Sequence, residues 1–180
     1  MRVRSTVVLA LGLLAGCGAT LDERGHEERV VDRNALAAEA RAVLDDFHAA
    51  ASAADGARYF GHFAQDGVFL GTDAAERWTV EAFRAYAKPH FDQGKGWTYK
   101  VKERHLDVDQ GGAYAWFDEA LENAKLGACR GSGVLRREAG AWKIVQYDLT
   151  IPIPNDLALE VAERIRRAGR GPGGEAPESK

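Results

Sequence analysis

Two aspartates sit inside apolar strand-like runs, where a carboxylate needs either a partner or a purpose. One is Asp148 in WKIVQYDLTIP, and the other is Asp118 in AWFDEAL. Alternate residues of a strand point to opposite faces, so Trp142, Ile144, Gln146, Asp148 and Thr150 fall on one side. Trp142 and Ile144 are core residues, and Gln146 and Asp148 are then expected to look into whatever the core encloses. The other readings open for Asp148 are a solvated sheet edge and a pairing with Arg130. In the second run Tyr114, Trp116, Asp118 and Ala120 share one side, and Ala115, Phe117, Glu119 and Leu121 the other. Trp116 beside Asp118 makes an aromatic wall with one polar anchor. Asp118 is therefore the favoured inward carboxylate, with Glu119 as the alternative. A carboxylate held in an apolar cavity has a displaced pKa and can act as a general base. Asp118 and Asp148 are accordingly the candidate catalytic residues.

Six further side chains are candidates to line a ligand site: Tyr59, His62, Trp78, Trp116, Arg130 and Gln146. Tyr59 and His62 are three residues apart and can overhang a cavity mouth together, or be a core tyrosine and a surface histidine. Trp78 is either a cavity wall or a hydrophobic staple to Phe83 ahead of the Thr79 cap. Arg130 suits an anionic ligand or a structural salt bridge. Other chemistries lack their patterns. There is no HExxH or comparable ligand spacing, so no metal is expected, nor is any cofactor. No GxSxG elbow accompanies Ser132, which argues against a serine hydrolase. A formal net charge of -3 with no long basic run gives a nucleic-acid role little support.

The elements that must position these groups are readable from periodicity. Leu36, Ala40, Val43, Leu44, Phe47, Ala51 and Ala54 recur at helical steps behind Asn34, with His48 at the edge of that apolar face. Asp55-Gly56 breaks this helix, and a short second one carries Tyr59, Phe60 and Phe63. Asp66-Gly67 turns the chain into a brief strand, Val68 to Leu70. A third helix follows Thr79, and Pro89 disturbs its end. Three or four long strands then follow, over Trp97 to Asp109, Ala113 to Asn123, Ala128 to Glu138 and Ala141 to Ile151, with Gly111-Gly112 and Ala139-Gly140 as hairpin turns. Asn155-Asp156 cap a last amphipathic helix bearing Leu157, Val161 and Ile165. Helices followed by a run of antiparallel strands is the α+β layout. A long, strongly twisted sheet covered by helices on one face curls into a cone with a cavity between them. With 46% hydrophobic residues in 180, the chain can bury one core without disulfides or metal.

The N-terminus carries an address. Residues 1–16 read as a secretory signal peptide, two arginines followed by an apolar stretch too short to span a membrane. Leu14-Ala15-Gly16-Cys17 resembles the lipobox of bacterial lipoproteins. That resemblance implies acylation of Cys17, a lipid-anchored protein of the cell envelope and, with Gly18 next, the outer membrane facing the periplasm in a Gram-negative cell. Residues 17–33 form a polar tether, 34–168 the domain, and 169–180 a tail rich in glycine and proline that is expected to be disordered. With Cys17 lipidated, Cys129 is left as a lone, inert thiol.

The order of elements, with FAQDGVFLGTDAAERW, AWFDEAL, RGSGVL and WKIVQYDLTIPIPND, resembles the SnoaL-like branch of the nuclear transport factor 2-like superfamily. The resemblance implies a cone-shaped, mostly antiparallel sheet against N-terminal helices, enclosing an apolar pocket. It leaves function open, since the superfamily holds isomerases, dehydratases, hydrolases and non-catalytic domains. Asp118, Asp148 and Tyr59 supply the residue types of a ketosteroid-isomerase-like base and oxyanion hole, without matching that motif position by position. Three readings follow. The first is a membrane-anchored domain whose cavity binds a small apolar molecule or a protein partner. The second is a cofactor-independent isomerase, dehydratase or hydrolase with a cavity aspartate as base. The third is a homodimerisation module using the outer sheet face, where Lys143, Val145, Tyr147 and Leu149 are expected.

Overall fold

A computed structural model describes residues 31–169 and, ahead of them, the backbone of two short strands. These are β1 (Thr20–Leu21) and β2 (Glu27–Glu28), antiparallel to each other with Thr20 opposite Glu28. The expected signal peptide, Cys17 and the tail beyond Gly169 lie outside the described residues. Contacts divide the chain into a unit up to Asp32 and a unit from Arg33 onward.

Within the second unit the order is α1 (Arg33–Ser52), α2 (Gly56–Gly61), β3 (Phe63–Leu70), β4 (Arg77–Thr79), α3 (Val80–Phe91), β5 (Lys100–Val108), β6 (Tyr114–Asn123), β7 (Gly127–Glu138), β8 (Ala141–Thr150) and α4 (Ala158–Gly169). The strands form one curved six-stranded sheet in the order β4-β3-β8-β7-β6-β5. Every pairing is antiparallel except β3 with β8. The expected α+β architecture, a curved sheet packed against helices, is what the chain adopts.

Local chemistry explains most boundaries. Asp55 caps α2 by accepting from the Arg58 amide at 3.1 Å, and Thr79 caps α3 by accepting from the Ala82 amide at 3.2 Å. Helix α3 continues past Pro89 because Phe91 is buried, its ring 4.6 Å from Trp97 and 5.6 Å from Tyr59. Strand β3 begins at Phe63, earlier than the Val68 expected from sequence, and Phe63 belongs to this strand rather than to the second helix. The three-residue β4 was not anticipated at all. Helix α4 has no buried residue, and its Leu159 and Ile165 are exposed.

The core lies between α1–α3 and the concave face of the sheet. Ala40, Leu44, Leu135 and Ile144 are fully enclosed, and burying each of the larger three contributes about 1.5–3 kcal/mol. Two irregularities decide which side chains enter this space. On β8, Gln146 pairs with Val134 but Ile144 pairs with Leu135, so Val145 is an extra residue. On β5, Val101 pairs with Leu121 but Glu103 pairs with Ala120, so Lys102 is extra. An extra residue of this kind re-aims everything after it. Beyond the first, the inward residues of β8 change from Trp142 and Ile144 to Tyr147 and Leu149. Beyond the second, Arg104 faces inward opposite Glu119.

Candidate functional site

Strand β6 alternates without interruption, burying Ala115, Phe117, Glu119 and Leu121. Glu119 has no exposed surface and is the one charged residue in the buried core among the described residues. Two side chains explain how its carboxylate is tolerated. His48, one helical turn from Leu44 and Ala51 on α1, places Nε2 2.8 Å from Glu119 Oε2. Arg104 directs one terminal nitrogen at the same oxygen, at 3.4 Å, and donates the other to Asp45 at 2.7 Å. Arg104 also donates to the Arg41 carbonyl at 3.1 Å, while Arg41 donates back to the Arg104 carbonyl at 3.2 Å. Glu119 Oε1 and Arg104 Nε are both buried without a partner. A buried ion pair of this kind is held by geometry and depends on all its members.

His48 borders a narrow crevice, of about 20 Å³, together with Phe47, Tyr59 and Tyr147. That is room for one water. The crevice shares Phe69, Trp97, Tyr99 and Leu149 with a much wider cleft of about 650 Å³, walled further out by Trp78, Phe83 and Tyr86. Large volume and candidate chemistry are therefore adjacent rather than coincident. A ligand filling the cleft reaches His48 only by parting the aromatic side chains between them.

Three tyrosines surround this passage with their hydroxyls kept protonated. Burial pushes Tyr147 well above the ordinary value, and the nearby Glu119 charge adds to that. Burial likewise raises Tyr59 and Tyr99. Each is then a hydrogen-bond donor at neutral pH. Tyr147 fits because Gly131, across the strand pair, has no side chain, and a Cβ there would collide with the Tyr147 hydroxyl. Among the described residues no cluster of three or more His, Cys, Asp or Glu could hold a metal ion.

The structure separates the residues named from sequence. Tyr59 lies at the crevice, and Trp78 at the cleft with its ring 5.3 Å from Tyr86. His62 does not join Tyr59. It turns to Asp46, with Nε2 2.7 Å from Oδ2, in a cluster that includes Arg58. The Arg58 hydrogen bond, ahead of the His62 one, lowers the Asp46 pKa to about 2.

The inward expectation fails for five residues. Trp116 and Asp118 are exposed on the convex face of β6, because Phe117 and Glu119 take the inner positions. Gln146 and Asp148 are on the convex face too, turned there by the extra residue at Val145, and Asp148 stands opposite Ser132. Arg130 is exposed opposite Ala120 and Thr150, two residues along β7 from the Ser132 that both acids oppose. The expected outer residues Tyr147 and Leu149 are buried instead.

Sequence reasoning missed His48 and Arg104 and ranked Glu119 second. One signal was available, since Glu119 is the only polar member of an apolar alternate set and His48 lies on helical spacing with the buried face of α1.

A family model for the SnoaL-like domain matches residues 40–154, more than half of the chain. The chain belongs to the SnoaL-like domain family. Among solved structures, this SnoaL-like domain is similar to a ketosteroid isomerase-like protein from Erwinia carotovora atroseptica, at 22% identity over 67% of this chain and 99% of that one, with a TM-score of 0.53. It is similar to an NTF2-like protein of unknown function from Pseudomonas putida, at 14% identity over 68% and 91%, with a TM-score of 0.57. A scytalone dehydratase-like protein from Novosphingobium aromaticivorans matches at 10% identity over 64% and 83%, with a TM-score of 0.55. At these identities the likeness is one of fold. No curated protein matches the chain in sequence.

Proposed function

We propose that this SnoaL-like domain binds a small, mostly apolar molecule in the aromatic cleft and abstracts a proton from it with His48. The observation that carries the reading is the 2.8 Å contact between His48 Nε2 and the fully buried Glu119, on a histidine that borders the crevice. With Glu119 accepting the Nε2 proton, the neutral imidazole carries its lone pair on Nδ1, the tautomer a general base needs. Counting formal charges, Arg104 stands against Asp45 and Glu119, so the group carries one net negative charge until His48 takes up a proton. The neutral tyrosines supply donors for an oxygen on which charge develops. Proton abstraction from the ligand next to a carbonyl or a leaving group, without a cofactor, covers isomerase and dehydratase chemistry; in a hydrolase the same base takes its proton from water instead.

The carboxylates first singled out, Asp118 and Asp148, have no part in this proposal, which rests on His48 and Glu119 instead. The similarity to ketosteroid isomerase-like and scytalone dehydratase-like proteins is compatible with it. A lipid anchor at Cys17 remains part of the proposal. It fits a described domain in which no helix is long and apolar enough to cross a membrane.

Native mass spectrometry of the full-length chain, purified from its own host, tests the proposal as a whole. The expected spectrum shows acyl mass on Cys17 and a retained small molecule. That molecule, returned to wild type, His48→Gln and Glu119→Gln proteins in deuterated water, is expected to exchange or convert about 100-fold faster with wild type. Equal rates in all three would remove the catalytic half and leave a binding domain. An empty cleft together with a tight dimer would replace both halves with assembly through the convex face, where Tyr114 and Trp116 are half-exposed.

A further inference from the structure

The wide cleft is not electrically uniform, and its asymmetry narrows the class of ligand. Its charged lining residues are Glu76, Lys95 and Lys125. Glu76 is engaged by its own turn, accepting from the Asp73 amide at 3.3 Å. Lys95 donates only to the neutral Gln93 side chain, at 2.7 Å, and Lys125 has no carboxylate partner among the described residues.

Both lysines are mounted on fixed backbone. Lys95 precedes Gly96, which lies so close to the end of α1 that a Cβ there would strike the Ala51 carbonyl. Its own amide donates to the His90 carbonyl at 3.0 Å, and the Trp97 amide donates to the Ala51 carbonyl at 3.2 Å. Lys125 rides on the turn between β6 and β7. There the Asn123 side chain accepts from the Lys125 and Leu126 amides at 2.9 and 3.0 Å and donates to the Thr98 carbonyl at 3.0 Å. Gly127 completes the turn with φ +73°.

The inner end has the opposite character. Dry aromatic walls lead to His48, and behind it the buried Glu119 carboxylate leaves one oxygen unpartnered. An anionic group pushed toward that floor would lose its hydration and meet a like charge. The rest of the lining carries two cations against the one Glu76 carboxylate and opens to water.

We infer that the ligand of the cleft is a flat, largely aromatic carboxylate, held with its ionised end at the mouth by Lys95 and Lys125 and its uncharged end toward His48. The inference deepens the small-molecule reading and rests on it. It also sets the direction of binding, since the end that reacts is the end without charge.

Isothermal titration of the full-length chain with 2-naphthoate and with its uncharged analogue 2-acetylnaphthalene tests this. Wild type is expected to favour naphthoate by about threefold to tenfold at low salt, two solvent-screened ion pairs being worth that much. The preference should shrink in 0.5 M salt, where the screening length falls to a few ångströms, about 4 Å. The double variant Lys95→Gln, Lys125→Gln should bind the neutral compound as before and show no preference. A wild type that binds both equally, or a double variant that keeps the preference, would overturn the inference while leaving the cleft as a small-molecule site. Binding of neither compound would overturn that reading as well.

Discussion

The molecule contains two clusters that each join a carboxylate, a histidine and an arginine. Glu119, His48 and Arg104 meet inside the cone, and Asp46, His62 and Arg58 meet on the surface of α1 and α2. Their histidine–carboxylate distances are nearly equal, at 2.8 and 2.7 Å. The surroundings differ entirely. Glu119 is fully buried, whereas the Asp46 side chain is 39% exposed. Inside, one carboxylate oxygen has no partner and the imidazole borders a crevice. Outside, both Asp46 oxygens are taken by Arg58 and the remainder is solvated. Contact geometry alone therefore says little about chemistry. What separates a reactive group from a clamp is whether water is excluded and whether an atom is left over for a ligand.

Breaking each cluster should expose this difference. Glu119→Ala leaves the Arg104 charge buried with less compensation and should cost about 3–5 kcal/mol. In thermal unfolding that is a fall of roughly 10–15 °C. A smaller loss is expected from Gly131→Ala, which disturbs the buried side through the Tyr147 ring and the Leu121 side chain. About 1–3 kcal/mol should appear in denaturant titration, with the Glu119 cluster itself intact. Asp46→Ala removes the surface clamp and should cost no more than about 1 kcal/mol, because exposed ion pairs are screened.

The surface cluster also predicts a pH dependence. The Asp46 pKa is depressed from 3.8 to about 2 in the folded chain, so the unfolded chain binds its proton first as pH falls. The stabilisation is fully present above the unfolded value and is lost between about pH 4 and pH 2. The difference in unfolding free energy between wild type and Asp46→Ala, measured by denaturant titration at a series of pH values, should close over that interval. A difference that persists below pH 2 would show that Asp46 acts through packing rather than charge.

Much of the fold was legible in the sequence. Hydrophobic spacing located α1, α3 and the four-strand meander, since apolar periodicity reports directly on burial. Face assignment was legible on β6 up to a choice of sign, and that choice was made wrongly. Trp116 was read as a cavity wall although Phe117 and Leu121, its opposites, are the better core residues. On β8 the face was legible only as far as Ile144, since Trp142 and Ile144 are core as expected and the residues beyond them are not. WKIVQYDL looks like one uninterrupted alternation, and nothing local marks Val145 as an extra residue. It shows only in the pairing with β7, where Val134 and Leu135 take Gln146 and Ile144 as partners. The same is true of Lys102 and hence of Arg104. The site was partly hidden because Arg104 and Tyr147 are aimed by sheet irregularities that long-range pairing creates.

The parallel pairing of β3 with β8 bears on how the chain reaches this state. Phe63 is bonded into register with Ile144, across a separation of some eighty residues, whereas β5 to β8 join through short hairpins. The meander can zip locally, but β3 and β4 have no sheet to join until β8 has been made. Ribosomal synthesis must therefore deliver nearly the whole domain before the cone can close. Non-local closure of this sort slows the overall rate of assembly. A nascent chain halted before Ala141 would hold β3 and β4 as an isolated hairpin, with the aromatic residues of α2 and α3 still open to chaperones.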